Sequence, residues 1–230
     1  MPGGESAEVI KEARFRYGAV FVLVVSLLVF VIVAPDGDAT HAIVFALEGS
    51  ALGVVVATSR EKRSVRNARV SALAVVGAIL LVAIAFALLP FAVVVLINGV
   101  LALAVLVALV AGMVRLVRRQ GVTLQVVAGA LTIYVLTGLL FAWLITLVAD
   151  VGSAPYFASG TDASQGDRVY YSFTVLTTTG FGDFTSATPV GHALAVLEML
   201  LGQLYLVTVI GVLVGAFAGR SRTEPRRGAA

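Results

Sequence analysis

Long stretches of apolar residues without a charged side chain dominate this chain of 230 residues. Residues 17–34 and residues 91–114 contain no Lys, Arg, Asp or Glu. A helix needs about 20 apolar residues to cross a bilayer, and it pairs all its backbone polar groups internally while it does so. The chain is 60% hydrophobic and 13% charged, whereas soluble domains carry about 25% charged residues. We therefore predict an all-α membrane protein.

Six apolar stretches predict six transmembrane helices, at residues 17–34, 41–59, 70–89, 91–114, 122–148 and 190–217. The first stretch lacks a small-residue cleavage site after it, so we expect a retained helix and not a signal peptide. Fifteen of the sixteen Lys and Arg residues lie in the N-terminus, the loop of the 60s, residues 115–119 or the tail. The positive-inside rule then places both termini in the cytoplasm of a multi-pass cell-membrane protein. The excess of Arg over Lys, with abundant Ala and Val, suggests a prokaryotic source.

The segments between these stretches carry further signals. Residues 115–122 are predicted to form a short interfacial helix that connects the fourth and fifth spans. Residues 150–166 are rich in Gly, Ser, Ala and Asp and predict a flexible outer loop. Asp167 is expected to cap the helix that follows, because a carboxylate there pairs with free amides at the positive helix end.

The sequence between the last two spans contains the segment TTTGFGD, residues 177–183. An extended L-peptide alternates its carbonyl directions, so a backbone that aims them all to one side needs left-handed φ at some positions. Glycine adopts that conformation without steric cost, and Gly180 and Gly182 alternate with larger residues. Four copies around one axis would form rings of oxygens able to replace the water shell of a potassium ion.

This segment resembles the selectivity filter of potassium channels. Residues 170–178 resemble the pore helix of that family, with paired aromatics ahead of the filter threonines. Four residues further along the chain resemble residues of the family's inner helix: Thr188, Gly191, Met199 and Gly202. The resemblance covers about residues 122–219 and is to the two-helix pore module of small bacterial potassium channels.

The resemblance assigns roles around the filter. It implies that backbone carbonyls of the filter coordinate K⁺, together with the hydroxyl of Thr178. The filter residues are Thr178, Thr179, Gly180, Phe181 and Gly182. It implies a supporting role for Tyr170, Tyr171, Thr174, Thr177 and Asp183.

Three filter positions depart from the commonest pattern of the family. Thr179 stands where many relatives have valine, so its hydroxyl needs a partner behind the filter. Phe181 replaces the commoner tyrosine, which implies the loss of a hydrogen bond to the pore-helix aromatics. Thr174 stands where some bacterial channels carry a glutamate that pairs with the aspartate after the filter, so the surroundings of Asp183 stay open.

The last span carries the expected cavity and gate. Gly202 resembles the gating-hinge glycine of the family, with close helix packing as the alternative. A heptad-like pattern puts three further residues on the pore side: Gln203, Leu206 and Ile210. Glu198 is expected to form a hydrogen bond behind the filter or pore helix, the alternative being a cation-attracting position in the cavity. Glu48, in the second span, is either a sensor or, as we favour, a buried protonated acid.

These inferences combine into one plan: residues 1–16 are a cytoplasmic segment, 17–119 a four-helix sensor-like domain, 120–219 a pore domain and 220–230 a cytoplasmic tail. One filter segment per chain predicts a homotetramer in lipid that conducts K⁺ passively, without a nucleic-acid partner or a cofactor other than the permeating ion. The fourth span lacks the repeated arginines of a voltage sensor. The alternatives are a non-selective monovalent cation channel and a transporter that uses Glu48. The isolated His41 and His192 give no support to an enzyme.

Overall fold

The computed structural model describes residues 16–35, residue 37 and residues 91–222 of the chain. The spans predicted at residues 41–59 and 70–89 lie outside the described residues, and Glu48 lies there with them.

Within the described residues, the chain forms helices and no strand. In chain order these are α1 (Arg16–Val33), α2 (Phe91–Gln120), α3 (Leu124–Val151), α4 (Gln165–Leu176), α5 (Pro189–Leu204), a π-helical segment (Tyr205–Ile210) and α6 (Gly211–Arg222). Two stretches are long and apolar enough to cross a membrane, Gln125–Val151 and Pro189–Ala216, and two shorter apolar helices cover Val20–Val33 and Ala102–Val114. The described residues therefore fit an all-α membrane protein.

A connection of three residues joins α2 to α3. The predicted separate helix at residues 115–122 is wrong, because α2 runs unbroken to Gln120. Gly121 has φ +69° and its amide donates to the carbonyl of Val117 over 2.9 Å. A left-handed glycine in this position ends a helix at no steric cost, and Thr123 then occupies the N-cap position of α3.

Helices α1 and α2 both pack against α3 of the same chain. Leu27 and Val31 of α1 form a buried cluster with Ala142 of α3 and Val169 of α4. On α2, Gly99 accommodates the indole of Trp143, since a Cβ built on this glycine would lie 1.9 Å from the ring carbon Cζ2. Helices α1 and α3 thus contact α4 directly, whereas α2 packs on α3.

The loop between α3 and α4 is anchored by two aromatic side chains, which differs from the predicted flexible loop. Tyr156 and Phe157 are each 1% exposed and meet the ring of Tyr171 edge-on, with centroid distances of 6.3 and 5.1 Å. Backbone hydrogen bonds also tie the loop to the segment after α4, where an isolated β-bridge joins Phe157 to Ser186. Buried aromatic area, and not loop composition, decides the conformation here.

A capping box begins α4. Ser164 is the N-cap residue, and its hydroxyl accepts a hydrogen bond from the amide of Asp167 over 3.0 Å. The Asp167 carboxylate in turn accepts from the amide of Ser164 over 3.2 Å. The predicted capping carboxylate is therefore present, but three residues inside the helix, as in other capping boxes.

Candidate functional site

The segment after α4 has left-handed backbone angles at every second residue. The φ values are +58° at Thr178, +53° at Gly180 and +82° at Gly182. The conformation predicted for the two glycines is confirmed, and the same conformation at Thr178 was not predicted. It costs a residue with a Cβ roughly 1–2 kcal/mol, so neighbouring contacts must hold Thr178 there. A backbone that alternates in this way turns successive carbonyl oxygens towards one side.

The last turn of α4 supplies these contacts. The amide of Thr178 donates to the carbonyl of Val175 over 2.9 Å. The amides of Thr179 and Gly180 both donate to the carbonyl of Thr174, over 2.8 and 3.1 Å. The start of the segment is therefore fixed by the end of the helix, and the orientation of α4 sets the orientation of the segment.

The hydroxyl of Thr179 finds its partner in Thr177. The Thr177 hydroxyl donates to the carbonyl of Phe173 over 2.7 Å and lies 2.8 Å from the Thr179 hydroxyl. Because the one hydrogen of Thr177 is used by Phe173, Thr179 is the donor to Thr177. The hydroxyl of Thr179, for which the sequence predicted a partner, is thereby hydrogen bonded within the chain.

The hydroxyl of Thr178 keeps its lone pairs available. Its hydrogen is donated to the carbonyl of Thr177 over 2.7 Å. A hydroxyl that donates in one direction presents its oxygen lone pairs in another. The side chain can therefore act as a cation ligand in the conformation shown.

An aromatic pair supports the far end of the segment. The rings of Tyr170 and Phe181 are parallel, with centroids 6.4 Å apart, and Phe181 is 70% exposed in the single chain. The Tyr170 hydroxyl faces the carboxylate of Asp183 and interacts with it electrostatically. Phe181 has no phenolic hydroxyl to form a hydrogen bond, and it contacts Tyr170 by ring stacking. Thr174 does not donate its hydroxyl hydrogen to Asp183, because this hydroxyl donates to the carbonyl of Tyr171 over 2.8 Å.

Glu198 lies behind α4, and not in the exposed cavity position that was its predicted alternative. It is 1% exposed, and its Oε1 atom is 2.5 Å from the hydroxyl of Ser172. The same hydroxyl lies 2.7 Å from the carbonyl of Gly138 in α3. Sequence reasoning found the acid but missed Ser172, which carries no motif of its own.

The four residues predicted for the cavity and gate separate into two groups. Gln203 and Leu206 are exposed in the single chain. Gly202 is buried, and Ile210 is partly buried against a cluster formed by Val126, Ala130 and Leu213. The common pore face of these residues stays a prediction. In the single chain Ile210 packs against α3 and α6, and the π-helical segment changes the phase of the helix between Leu204 and Gly211.

A broad apolar surface accompanies the exposed segment. All residues from Thr177 to Asp183 are exposed in the single chain. Helix α5 exposes large apolar side chains along its length, including Val190, Val196, Leu197, Leu200, Leu201 and Leu204. A surface of this kind requires cover by lipid or by other protein.

Part of the chain matches a known family. Residues 129–218 match the family model described as "Ion channel". No curated protein and no solved structure matches the chain. The matched residues begin in α3 and end in α6, so they include α4, the segment with alternating φ and the buried Glu198. The match shows that residues 129–218, which include most of both candidate membrane spans, are similar to an ion-channel domain.

Proposed function

We propose that this chain is a subunit of a potassium-selective channel, with residues 178–182 as its selectivity filter. The observation that carries the proposal is the alternation of left-handed φ at Thr178, Gly180 and Gly182. This backbone presents the carbonyl oxygens of consecutive residues to one side, where they replace the water around a dehydrated cation. Uncharged oxygen ligands in rings suit a monovalent ion that must bind and also leave.

The proposed assembly is a homotetramer. One chain contributes a single row of oxygens, and four rows are needed to surround an ion as in potassium-channel filters. The exposed apolar side chains of α5 and the exposed ring of Phe181 provide surface for neighbouring subunits and for lipid. The chain also has only one segment of this type.

The proposed channel is not opened by an arginine-bearing helix. Residues 91–114 of α2 carry no charge, and its arginines begin at Arg115. One elementary charge that moves through 100 mV supplies about 2.3 kcal/mol. Without charges inside the span, α2 has no means of drawing such energy from the membrane potential.

A measurement of reversal potential tests the proposal. The purified protein is placed in planar bilayers with K⁺ on one side and Na⁺ on the other. We expect a reversal potential close to the K⁺ limit, and no current from Gly180→Ala, because φ +53° strains any residue with a Cβ. The matched control is Gly215→Ala, where an added Cβ meets no atom within 4 Å, and it should conduct normally.

Two outcomes would replace the proposal by its alternatives. A clear current that reverses near zero would indicate a non-selective monovalent cation channel. Flux that is coupled to protons and lost in Glu48→Gln would indicate a transporter.

A further inference from the structure

The hydroxyl of Ser172 connects three helices at one point behind the proposed filter. Ser172 is fully buried in α4, and its Oγ atom lies 2.7 Å from the carbonyl oxygen of Gly138 in α3. The same atom lies 2.5 Å from Oε1 of Glu198 in α5. Both distances are those of O–H···O hydrogen bonds.

A count of hydrogens assigns the donors. The serine hydroxyl has one hydrogen, and the carbonyl of Gly138 has none. If Ser172 donated to an ionised Glu198, the 2.7 Å contact between Ser172 and Gly138 would join two oxygens without a hydrogen between them. Both contacts are satisfied only when Ser172 donates to Gly138 and a protonated Glu198 donates to Ser172.

The surroundings of Glu198 agree with an uncharged carboxyl group. The ionisable groups that interact with it come from each packed element: Tyr134 of α3, Tyr171 of α4 and Tyr156 of the outer loop. None of these tyrosines is a cation. Among the described residues, no Lys or Arg is found to act on Glu198, whose single hydrogen-bond partner is Ser172. A buried ionised carboxylate without a cation is strongly disfavoured.

The position of this contact links it to the filter. Ser172 precedes by two and three residues the carbonyls of Thr174 and Val175, which hold the amides of the filter segment. One turn further along α5, Gly202 lies against the carbonyl of Leu176 at the end of α4. The side chain of Glu198 and the backbone of Gly202 therefore fix the same stretch of α4 against α5.

We propose that Glu198 is a neutral carboxylic acid that donates to Ser172 and, through it, positions α4 and the filter relative to α5. Glu198 is a positioning residue and does not touch the permeating ion. The effect on selectivity rests on the proposed function, whereas the protonation of Glu198 does not. Glutamine at this position retains a donor for Ser172, while alanine removes it.

Infrared spectroscopy tests the protonation directly. The spectrum of the reconstituted protein at neutral pH is compared with that of Glu198→Gln. We expect the wild type to show the carbonyl band of a protonated carboxylic acid that the variant lacks. Asp183→Asn, which removes an exposed acid, is the control and should leave this band in place. A wild-type spectrum whose acid band is unchanged in Glu198→Gln would overturn the proposal, whether or not the protein conducts.

Conduction measurements test the positioning role. Glu198→Gln should keep the K⁺/Na⁺ permeability ratio of the wild type. Glu198→Ala and Ser172→Ala should lower that ratio by about tenfold, as the loss of a buried hydrogen bond allows. Leu197→Ala, at an exposed neighbour, is the control and should match the wild type. Glu198→Ala with an unchanged ratio would overturn the positioning role, and a wild type without K⁺ selectivity would overturn the proposed function instead.

The variants also separate folding from positioning. The size-exclusion profile of each variant is first compared with that of the wild type. If Glu198→Ala and Ser172→Ala do not assemble, the positioning role is tested by comparing Glu198→Gln with Glu198→Asp. The shorter aspartate cannot reach Ser172 from the same backbone position, so it should lower the permeability ratio while glutamine does not. Equal ratios in these two variants would overturn the positioning role.

Discussion

The backbone of Gly202 lies directly against the carbonyl oxygen of Leu176. A Cβ built on this glycine would sit 2.2 Å from that oxygen and 3.0 Å from Cδ1 of the same residue. Leu176 is the last residue of α4. The glycine that resembles a gating hinge is therefore also the place where α5 touches the end of the helix that carries the proposed filter.

Gly202→Ala is expected to lower the stability of the protein. The added methyl group must displace a backbone carbonyl, and overpacking of this kind costs about 1–3 kcal/mol. Thermal denaturation of the purified protein, followed by size exclusion, measures the effect. Gly211→Ala is the matched control, because its added Cβ meets no atom within 4 Å. A Gly202→Ala protein as stable as the control would show that the contact with Leu176 is absent.

Gly99→Leu is expected to separate α2 from α3 locally. The closest approach of a Cβ at Gly99 is to the indole of Trp143, so a larger side chain must push that ring aside at a cost of about 1–3 kcal/mol. Trp143 is the single tryptophan of the chain, and its fluorescence emission maximum should therefore move. Gly18→Leu, at a position with open space, should leave the emission unchanged. An unchanged emission in Gly99→Leu would contradict the packing described.

Tyr170→Phe is expected to shorten the time for which the proposed filter stays conductive. The variant keeps a ring to stack on Phe181 but loses the hydroxyl that interacts with Asp183. Currents should therefore decay faster during sustained opening. Asp183→Asn should have a similar effect, and the double variant should be no worse than either single variant, since both remove the same interaction between Tyr170 and Asp183. Additive effects in the double variant would show that Tyr170 and Asp183 act independently.

Cross-linking should show that α1 packs on α3 of its own chain. Leu27 of α1 and Ala142 of α3 share one buried cluster, and the three-residue connection after α2 keeps α2 beside its own α3 in the same way. The chain contains no cysteine, so Leu27→Cys and Ala142→Cys introduce the only thiols. A link should form when both substitutions are in one chain. A link between two chains that carry one substitution each would require helices exchanged between subunits.

The helices that the structure describes were largely predictable from apolar runs. Residues 17–34, 91–114, 122–148 and 190–217 each coincide with a helix or a helical series, because uncharged stretches of this length have few other folds in a membrane. The backbone conformation of Gly180 and Gly182 in the proposed filter was also predictable from the sequence. Their left-handed φ follows from the steric freedom of glycine alone.

The details that could not be predicted depend on contacts between distant residues. Thr178 adopts left-handed φ because the end of α4 holds its amide, and no property of threonine indicates this. Tyr156 and Phe157 lie in a stretch whose Gly, Ser and Asp content suggested a mobile loop. Their burial depends on Tyr171, which folding brings alongside them. Likewise, the partner of Glu198 lies 26 residues away in sequence.

The π-helical segment has a consequence for how the last helix is studied. From Tyr205 to Ile210 the backbone leaves the α-helical repeat. Residues before this segment and residues after it therefore belong to helices of different phase. Tyr205 at its start is bound to α3, where its hydroxyl donates to the carbonyl of Ala130 over 2.6 Å. A substitution scan through residues 189–222 should therefore show two periodic patterns of sensitivity with a phase break between them. A single helical wheel fitted to the whole scan would assign residues of one part to the wrong side of the helix.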